Sequence, residues 1–272
     1  MDIVKVNPIT SMKDAFSVAG YNVVVTGGNR GLGRGIAQAF AECGANVAIL
    51  CRNVESGKKA AEELSELGGT HFAVKCDVGD FDDVLAAKEA VSKRFDHVDV
   101  LVNNAGIDGK KSIFNDERME EFKRVMNVNL DGVASMIQVF GQWMMDERRG
   151  GSIINISSIG GQGIGDPRIH PMPSYNASKA ALDHLTRHLC IPMGDYGIRV
   201  NAIAPGPTHS DLDAGLPPKI TEFIDETMPM HRFGEPIEIG ALAVFLSSPA
   251  ASQITGVVAN HDGGTMVVGL TF

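Results

Sequence analysis

Short β-branched runs alternate with longer segments of helical periodicity along almost the whole chain. This alternation is typical of βαβ units, in which a helix connects two parallel strands. The runs are nearly continuous in apolar residues, as expected for strands that helices cover on both faces. The pattern predicts an α/β fold with a doubly wound sheet of seven mostly parallel strands, at Asn22–Thr26, Asn46–Cys51, His71–Cys76, Val98–Asn103, Ser152–Ile156, Ile198–Ala204 and Val257–Asn260.

The chain of 272 residues has a length that one large domain can fill. We predict an N-terminal extension over residues 1–20, a single domain over residues 21–272 and, within that domain, a substrate lid at about residues 208–233. Apolar residues recur at helical spacing between Glu120 and Met145, which predicts a central packed helix. No internal repeat or Pro- or Ser-rich linker marks a second domain.

The composition excludes several classes of function. The net charge is −9 and no basic stripe is present, which argues against a nucleic-acid surface. No apolar run reaches the roughly 20 residues needed to span a bilayer, and the first residues lack the apolar core of a secretory signal. Four dispersed cysteines show no zinc-type spacing, so we expect no metal. These features indicate a cytoplasmic protein without nucleic-acid or membrane partners.

A glycine-rich segment, Thr26–Gly33 (TGGNRGLG), directly follows the first predicted strand and opens a helix. Gly27, Gly31 and Gly33 permit a tight turn and a close approach of the backbone. The helix N-terminus then offers free N–H groups and a positive dipole end to a pyrophosphate. Because strand, loop, helix and second strand follow in this order, we expect a dinucleotide site in a Rossmann-like fold. A plain glycine-rich turn is the alternative.

The end of the second predicted strand indicates which dinucleotide binds. An acidic residue at this place would bind the ribose hydroxyls of NAD and repel a 2′-phosphate. The chain has Cys51 and Arg52 there instead. Arg30 and Arg52 could bind a phosphate through charge-assisted hydrogen bonds. We therefore expect NADP to be preferred and NAD to be the alternative cofactor, unless the two arginines are merely solvated.

Tyr175 and Lys179, in the segment YNASK, are four residues apart. In a helix they lie on one face, with Cβ atoms roughly 5 to 6 Å apart. A neighbouring ammonium lowers the pKa of a phenol and so brings proton exchange within reach near neutral pH. The spacing alone leaves two interpretations open, a solvated surface pair and a proton-transfer pair.

Four motifs in order resemble the short-chain dehydrogenase/reductase family: TGGNRGLG, NNAG at Asn103–Gly106, ISS at Ile156–Ser158, and YNASK. The resemblance covers most of the chain and favours the proton-transfer interpretation. It implies that Tyr175 is the general acid in reduction and the base in oxidation. It also implies that Lys179 lowers the pKa of Tyr175 and holds the nicotinamide ribose, while Ser158 steadies the substrate oxygen.

The same resemblance suggests the remaining site residues. Asn129, in the stretch NVNL, resembles the asparagine that anchors a water in the proton relay, whereas Asn127 lies on another helix face and is the weaker candidate. Asp77 resembles the acid that meets the adenine amine, and Thr208 lies in the loop expected beside the nicotinamide. Ser210 stands where the family often has threonine. The expected cofactor contacts are Gly27, Asn29, Arg30, Gly31, Leu32, Arg52, Asp77, Val78, Asn104, Ala105, Gly106, Tyr175, Lys179, Pro205, Gly206, Thr208 and Ser210.

The segment between Ser158 and Tyr175 is longer than is usual in the family, with the extra length in residues 159–173. Arg168 or His170 in this segment could carry specificity, although a surface excursion is the simpler interpretation. The resemblance further implies a homo-oligomer, a tetramer or a dimer. The apolar tail Met266–Phe272 fits burial at a subunit contact or a fold-back over the core.

The predicted function is that of an NADP(H)-dependent oxidoreductase that transfers a hydride between nicotinamide and a secondary alcohol or ketone. By resemblance, sugar, sugar-acid or polyol substrates are favoured, with 3-oxoacyl-type reductases equally near. A bulkier apolar ketone, such as a steroid, a bile acid or a cyclic aromatic ketone, is the alternative, because Met and Leu residues recur in the expected lid. A nucleotide-binding regulator without turnover is the alternative of another class. An epimerase or dehydratase that uses the cofactor transiently is a further one.

Overall fold

The computed structural model describes residues 3–4, 9–163, 172–209 and 218–269, and the backbone alone for residues 218–220. Within these ranges one sheet contains seven strands: β1 (Asn22–Thr26), β2 (Asn46–Cys51), β3 (His71–Lys75), β4 (Val100–Asn103), β5 (Gly151–Ile156), β6 (Ile198–Pro205) and β7 (Val258–His261). Their order is β3-β2-β1-β4-β5-β6-β7, and all neighbours are parallel. The predicted doubly wound α/β sheet is confirmed, and the predicted strand ends are correct to within two residues.

Helices connect these strands and cover both faces of the sheet. They are α1 (Gly31–Glu42), α2 (Val54–Ser65), α3 (Phe81–Ser92), α4 (Glu120–Met126), α5 (Gly132–Met136), α6 (Gln142–Glu147), α7 (Pro173–Gly194), α8 (Pro218–Glu226), α9 (Pro236–Ser247) and α10 (Thr265–Val268). Two π-helical turns, Asn127–Asp131 and Ile137–Gly141, join α4, α5 and α6 into one helix over residues 120–147. This confirms the central helix expected from the apolar spacing.

The strands β1, β2, β4, β5 and β6 contribute buried side chains to two separate cores, one on each face of the sheet. In β1, Val23 and Val25 pack with α1, α2 and α9, whereas Val24 packs with α3, the helix over residues 120–147, and α7. All three valines are fully buried. Because successive strand residues point to opposite faces, burial on both faces requires an uninterrupted apolar run. Each such side chain contributes roughly 1.5 to 3 kcal/mol of burial free energy.

Part of the predicted N-terminal extension packs onto the domain. Ala15 and Val18 are buried, and Val18 belongs to the core on the α1 side. The backbone O of Ala15 accepts a hydrogen bond of 2.7 Å from Ala250 N. The boundary at residue 20 therefore separates the regular elements from a segment that still contacts them. No helix within the described ranges is long and apolar enough to cross a membrane.

The sheet order places the loops that follow β1, β4, β5 and β6 along one edge. β1 and β4 are neighbours, and the chain leaves them toward opposite faces of the sheet. Open α/β sheets bind ligands at such a switch point, outside the carboxyl ends of the strands. Four of the sequence motifs, TGGNRGLG, NNAG, ISS and YNASK, lie at or next to this edge.

Candidate active site

The glycine-rich loop between β1 and α1 has the geometry that a phosphate cradle needs. Gly27 and Gly31 have positive φ angles of 67° and 52°, which glycine adopts without strain. A Cβ on Gly33 would lie 2.3 Å from the carbonyl O of Gly27, so only glycine fits there. A Cβ on Gly31 would meet nothing within 4 Å, because this position borders open space. The N-terminus of α1 thus faces a space that can accept an anion.

Hydrogen bonds tie this loop to the NNAG motif after β4. The hydroxyl of Thr26 accepts from Asn104 N at 2.9 Å and from Ala105 N at 3.0 Å. The Asn104 side chain donates to Thr26 O at 2.9 Å. Asn103 instead points into the sheet, where it is buried and donates to Asn155 Oδ1 at 2.9 Å. Asn104 therefore fixes the two loops together, and Asn103 is structural.

A cleft of about 1050 Å³ opens beside these loops. Most of the cofactor contacts expected from the sequence line it, namely Gly27, Asn29, Arg30, Gly31, Leu32, Arg52, Asp77, Val78, Asn104, Ala105 and Gly106. The cleft contains several polar groups and has room for a dinucleotide, so the residues present fit that group. Pro205, the last residue of β6, and Gly206 and Thr208, which follow it, lie farther along the same edge. Ser210, Arg168 and His170 fall outside the described residues, as does most of the expected lid up to residue 217.

The end of β2 presents Arg52 at the N-terminus of α2. Asn53 caps this helix, since its side chain accepts from Ser56 N at 3.2 Å. Ser56 in turn accepts from the Asn29 side chain at 2.9 Å and connects α2 to the glycine-rich loop. Arg52 and Arg30 are exposed and line the same cleft. Arg52 thus lies where an acidic residue would select against a ribose phosphate.

Tyr175 and Lys179 lie on α7, one turn apart, at the end of β5. The Lys179 Nζ is 5.6 Å from the centre of the Tyr175 ring, close enough for a cation–π contact. The same Nζ donates to Ile156 O, at the end of β5, at 2.7 Å. Lys179 is only 4% exposed, whereas Tyr175 is partly buried. The helix therefore holds a phenol and an ammonium together at the carboxyl edge of the sheet.

The pKa of Tyr175 differs from the sequence-based expectation. The pKa of this phenol is raised to about 12, chiefly by burial. A hydrogen bond with Ser158 lowers the pKa, and the charge of Asp108 raises it. The pKa of Tyr175 is therefore raised and not lowered as expected, and desolvation of the phenolate is the largest cause. Burial also lowers the pKa of Lys179 to about 8, against the carboxylates of Asp183 and Asp108, which raise it. At neutral pH the pair is a protonated phenol beside an ammonium.

Ser158 and Asn129 complete the group around Tyr175. Ser158 lies two residues after the end of β5, and its hydroxyl accepts from Gly160 N at 3.1 Å. Asn129 lies in the first π-helical turn and is 1% exposed. Its amide donates to Ile107 O at 3.0 Å and accepts from Ile107 N at 2.8 Å. Asn127 faces elsewhere and donates to Gly79 O at 3.1 Å. Asn129 thus holds the chain just after the NNAG motif beside α7.

Sequence reasoning missed several residues of the cleft. Asn53 and Ser56 line it through the cap of α2, and a Ser or Asn before a helical segment could have been recognised as a cap signal. Asp108 and Arg124 also line the cleft. Asp108 lies only two residues after the NNAG motif, but its proximity to Tyr175 arises from a contact between distant segments. No group of three or more His, Cys, Asp or Glu residues in the described part of the chain is arranged to hold a metal.

Comparison with known proteins identifies relatives along most of the chain. A short-chain alcohol dehydrogenase family model, described as enoyl-(acyl carrier protein) reductase, matches residues 27–266. The 3-oxoacyl-(acyl-carrier-protein) reductase FabG of Chlamydia muridarum is 38% identical over 242 residues, which make up 89% of this chain and 95% of the relative.

Solved structures of two relatives superpose closely. One is a 7α-hydroxysteroid dehydrogenase complexed with NADH and 7-oxo glycochenodeoxycholic acid, with a TM-score of 0.87, 33% identity, and coverage of 94% of this chain and 98% of that one. The other is a gluconate 5-dehydrogenase from Burkholderia cenocepacia J2315 in complex with NADP and tartrate, with a TM-score of 0.86, 31% identity, and coverage of 92% and 97%. The relatives thus include proteins with either nicotinamide cofactor.

Proposed function

Because the chain belongs to the short-chain dehydrogenase/reductase family of NAD(P)-dependent oxidoreductases that act on alcohol and ketone groups, we propose that it transfers a hydride between NADP(H) and a secondary alcohol or ketone. The observation that carries this proposal is the group formed by Tyr175, Lys179, Ser158 and Asn129 at the edge of the sheet that also bears the dinucleotide cleft. When bound, the nicotinamide supplies or accepts the hydride.

The protein side chains donate and accept the proton in this mechanism. With its pKa raised to about 12, the Tyr175 phenol keeps its proton at neutral pH and can donate it to the carbonyl oxygen during reduction. Ser158 forms a hydrogen bond with the Tyr175 phenol. Its hydroxyl would also orient the carbonyl oxygen of the substrate. The Lys179 ammonium stabilises the phenolate that remains after the transfer. Asn129 forms two hydrogen bonds with the backbone of Ile107 and so fixes this backbone near Tyr175 and Lys179.

Tyr175→Phe tests the assignment of the proton donor. We expect turnover of ketones with NADPH to fall by at least about a hundredfold, since general acid catalysis contributes about that much. NADPH affinity, measured by fluorescence titration, should stay within about threefold, because the cleft lining is unchanged. Tyr196→Phe serves as a control, since Tyr196 is not among the residues that line the cleft. Retained turnover in Tyr175→Phe would refute the mechanism.

Preference for NADP over NAD is supported by the charges at the end of β2. Arg30 and Arg52 line the cleft, and the adjoining residues Cys51 and Asn53 carry no charge. Arg52→Asp should shift the ratio of kcat/KM for NADPH to that for NADH toward NADH by about tenfold or more, because a favourable charge becomes repulsive. Arg149→Asp is the control. Arg149 is exposed just before β5 and does not line the cleft, so this variant makes the same charge change without altering the cofactor site. Equal or better efficiency of the wild-type protein with NADH would overturn the preference.

For the substrate we propose a hydroxylated ketone of the sugar or polyol type. The gluconate 5-dehydrogenase structure, which contains NADP and tartrate, supports this choice. A bulkier apolar ketone is the second candidate, supported by the bile-acid complex of the steroid dehydrogenase. The expected lid supports it less, because Phe223, Ile224 and Met228 are buried in a small cluster of their own with Phe233.

A panel of sugar acids, polyol ketones, 3-oxoacyl esters, steroids and cyclic diketones with NADPH separates these substrate classes. Consumption of NADPH with polyol ketones alone would support the first candidate, and consumption with steroids alone the second. NADPH binding without consumption by any ketone would indicate a regulator or an enzyme without net redox change.

We also propose a homo-oligomer. Phe114 and Ile191 are 93% and 75% exposed, and Val267 in α10 is 88% exposed. Exposed apolar side chains of this size favour contact with another protein surface. Light scattering of the purified protein distinguishes a tetramer or dimer from a monomer, and a monomer at micromolar concentration would contradict the proposal.

A further inference from the structure

Asp108 is a carboxylate that takes no direct part in the proton transfer from Tyr175. It is half-buried and lines the cleft together with Gly106 and Ile107. Its charge acts on both Tyr175 and Lys179. An acidic residue this close to the proton donor affects any charged group that binds there.

The backbone on both sides of Asp108 is fixed. A Cβ on Gly106 would lie 3.4 Å from Asn129 Oδ1 and 3.8 Å from Lys179 Nζ, so this residue passes directly beside the ammonium. Ile107 exchanges two hydrogen bonds with the side chain of Asn129.

On the other side, Gly109 is buried, and a Cβ there would lie 2.0 Å from the hydroxyl of Ser174, the residue before Tyr175. Gly109 therefore packs directly against the start of α7. Asp108 is therefore held between Asn129 and the first turn of α7.

Among the described residues that line this part of the cleft, no other charge cancels the carboxylate. Lys179 already has Asp183 one turn later on α7, and its Nζ donates to Ile156 O. Arg124, the cationic residue of α4 that lines the cleft, is exposed, so solvent screens its charge. Among the ion pairs formed within the described ranges, none involves Asp108.

We propose that Asp108 is a specificity-determining residue that excludes substrates with a carboxylate next to the reacting carbonyl. The substrate class is then a ketone whose neighbouring groups are neutral, with hydroxyl groups favoured because they can donate a hydrogen bond to Asp108. An anionic group remote from the carbonyl is tolerated, since repulsion falls with distance and with screening. This inference rests on the proposed ketone reductase function and narrows its substrate.

The test compares a 3-oxo acid with its ethyl ester, which lacks the negative charge near the carbonyl and adds an ethyl group. Acetoacetate, ionised at pH 7, and ethyl acetoacetate are assayed with saturating NADPH for the wild-type protein, Asp108→Asn and Asp108→Ser. Both variants should raise kcat/KM for acetoacetate by between about tenfold and a hundredfold, because the repulsion of two unit charges at close range is removed. Any effect of these substitutions on the pKa of Lys179 acts on both substrates alike, so the ester-to-acid ratio of kcat/KM should fall by at least about tenfold.

Asp146→Asn is the matched control, because Asp146 is exposed on α6 and bonds only Gln142 among the described residues. It changes the net charge equally and should leave the ester-to-acid ratio unchanged. NADPH titration shows whether each variant still folds and binds cofactor.

The role of Asp108 is overturned if the ester-to-acid ratio of kcat/KM is unchanged in both Asp108 variants. It is also overturned if both variants reduce the ester but neither reduces acetoacetate. Neither result contradicts the proposed function. Loss of NADPH consumption with every ketone in the wild-type protein overturns the proposed function instead. The two failures are therefore distinguishable.

Discussion

The buried ammonium of Lys179 should limit the reductase activity at alkaline pH. Burial lowers the pKa of Lys179 to about 8, and the carboxylates of Asp183 and Asp108 oppose this shift. The mechanism needs the charged form, which stabilises the phenolate left on Tyr175. The Tyr175 pKa of about 12 lies above the working range, so the phenol itself stays protonated between pH 6 and 10.

The magnitude follows from the titration of one group. With a pKa of about 8, roughly nine-tenths of Lys179 is charged at pH 7 and roughly one-tenth at pH 9. The kcat/KM for a ketone should therefore be nearly constant from pH 6 to 7 and fall about tenfold from pH 7 to 9. Reduction with saturating NADPH is the appropriate assay, because NADPH is stable in alkali and its reduced nicotinamide adds no charge.

Asp183→Asn should move this limb to lower pH. The carboxylate favours the charged ammonium, so its removal lowers the pKa of Lys179 further, and the rate declines earlier as pH rises. Asp183→Glu should restore the wild-type profile, and Asp146→Asn should not change it. A profile that stays flat to pH 10, or a limb that moves to higher pH in Asp183→Asn, would refute the reasoning.

Two further substitutions test the cradle and the sheet. Gly33→Ala would place a Cβ 2.3 Å from Gly27 O, so the loop must shift, and the Kd for NADPH by fluorescence titration should rise about tenfold or more; Gly194→Ala, which meets no atom within 4 Å, should leave it unchanged. Asn155→Ala removes the acceptor of the buried Asn103 amide and should lower the free energy of unfolding in urea by about 2 to 3 kcal/mol, whereas a loss under about 1 kcal/mol would contradict this account.

Much of the fold could be predicted because its signals are local. Both faces of β1 and β2 are buried, so each strand appears in the sequence as an unbroken apolar run with a sharp end. The glycine-rich loop could be recognised for a similar reason, since positive φ at Gly27 and Gly31 requires glycine. The continuous helix over residues 120–147 was also expected, but its π-helical turn at Asn129 was not, because helical spacing does not distinguish the two.

The chemistry of the site was harder to predict than its location. Tyr175 and Lys179 are one turn apart, as their spacing requires, but the expected lowering of the Tyr175 pKa is wrong. Proximity to a charge is a pairwise property that a spacing can show. Desolvation is a sum over everything that packs around the phenol, and most of those neighbours are distant in sequence. The effect of Asp108 on Tyr175 was likewise not visible in the sequence, because Asp108 lies 67 residues before Tyr175 in the chain.

The sequence by itself determined the alternation of strands and helices and the glycine-rich loop, and it placed Tyr175 and Lys179 one helical turn apart, because each of these features depends on residues close together in the chain. Only the tertiary structure decided which groups share the active site with that pair. It placed Asp108 beside Tyr175 through the packing of Gly109 on Ser174, and it buried Lys179 behind the end of β5. Burial and charge act through space, so their effects on protonation and specificity appear only when the chain has folded.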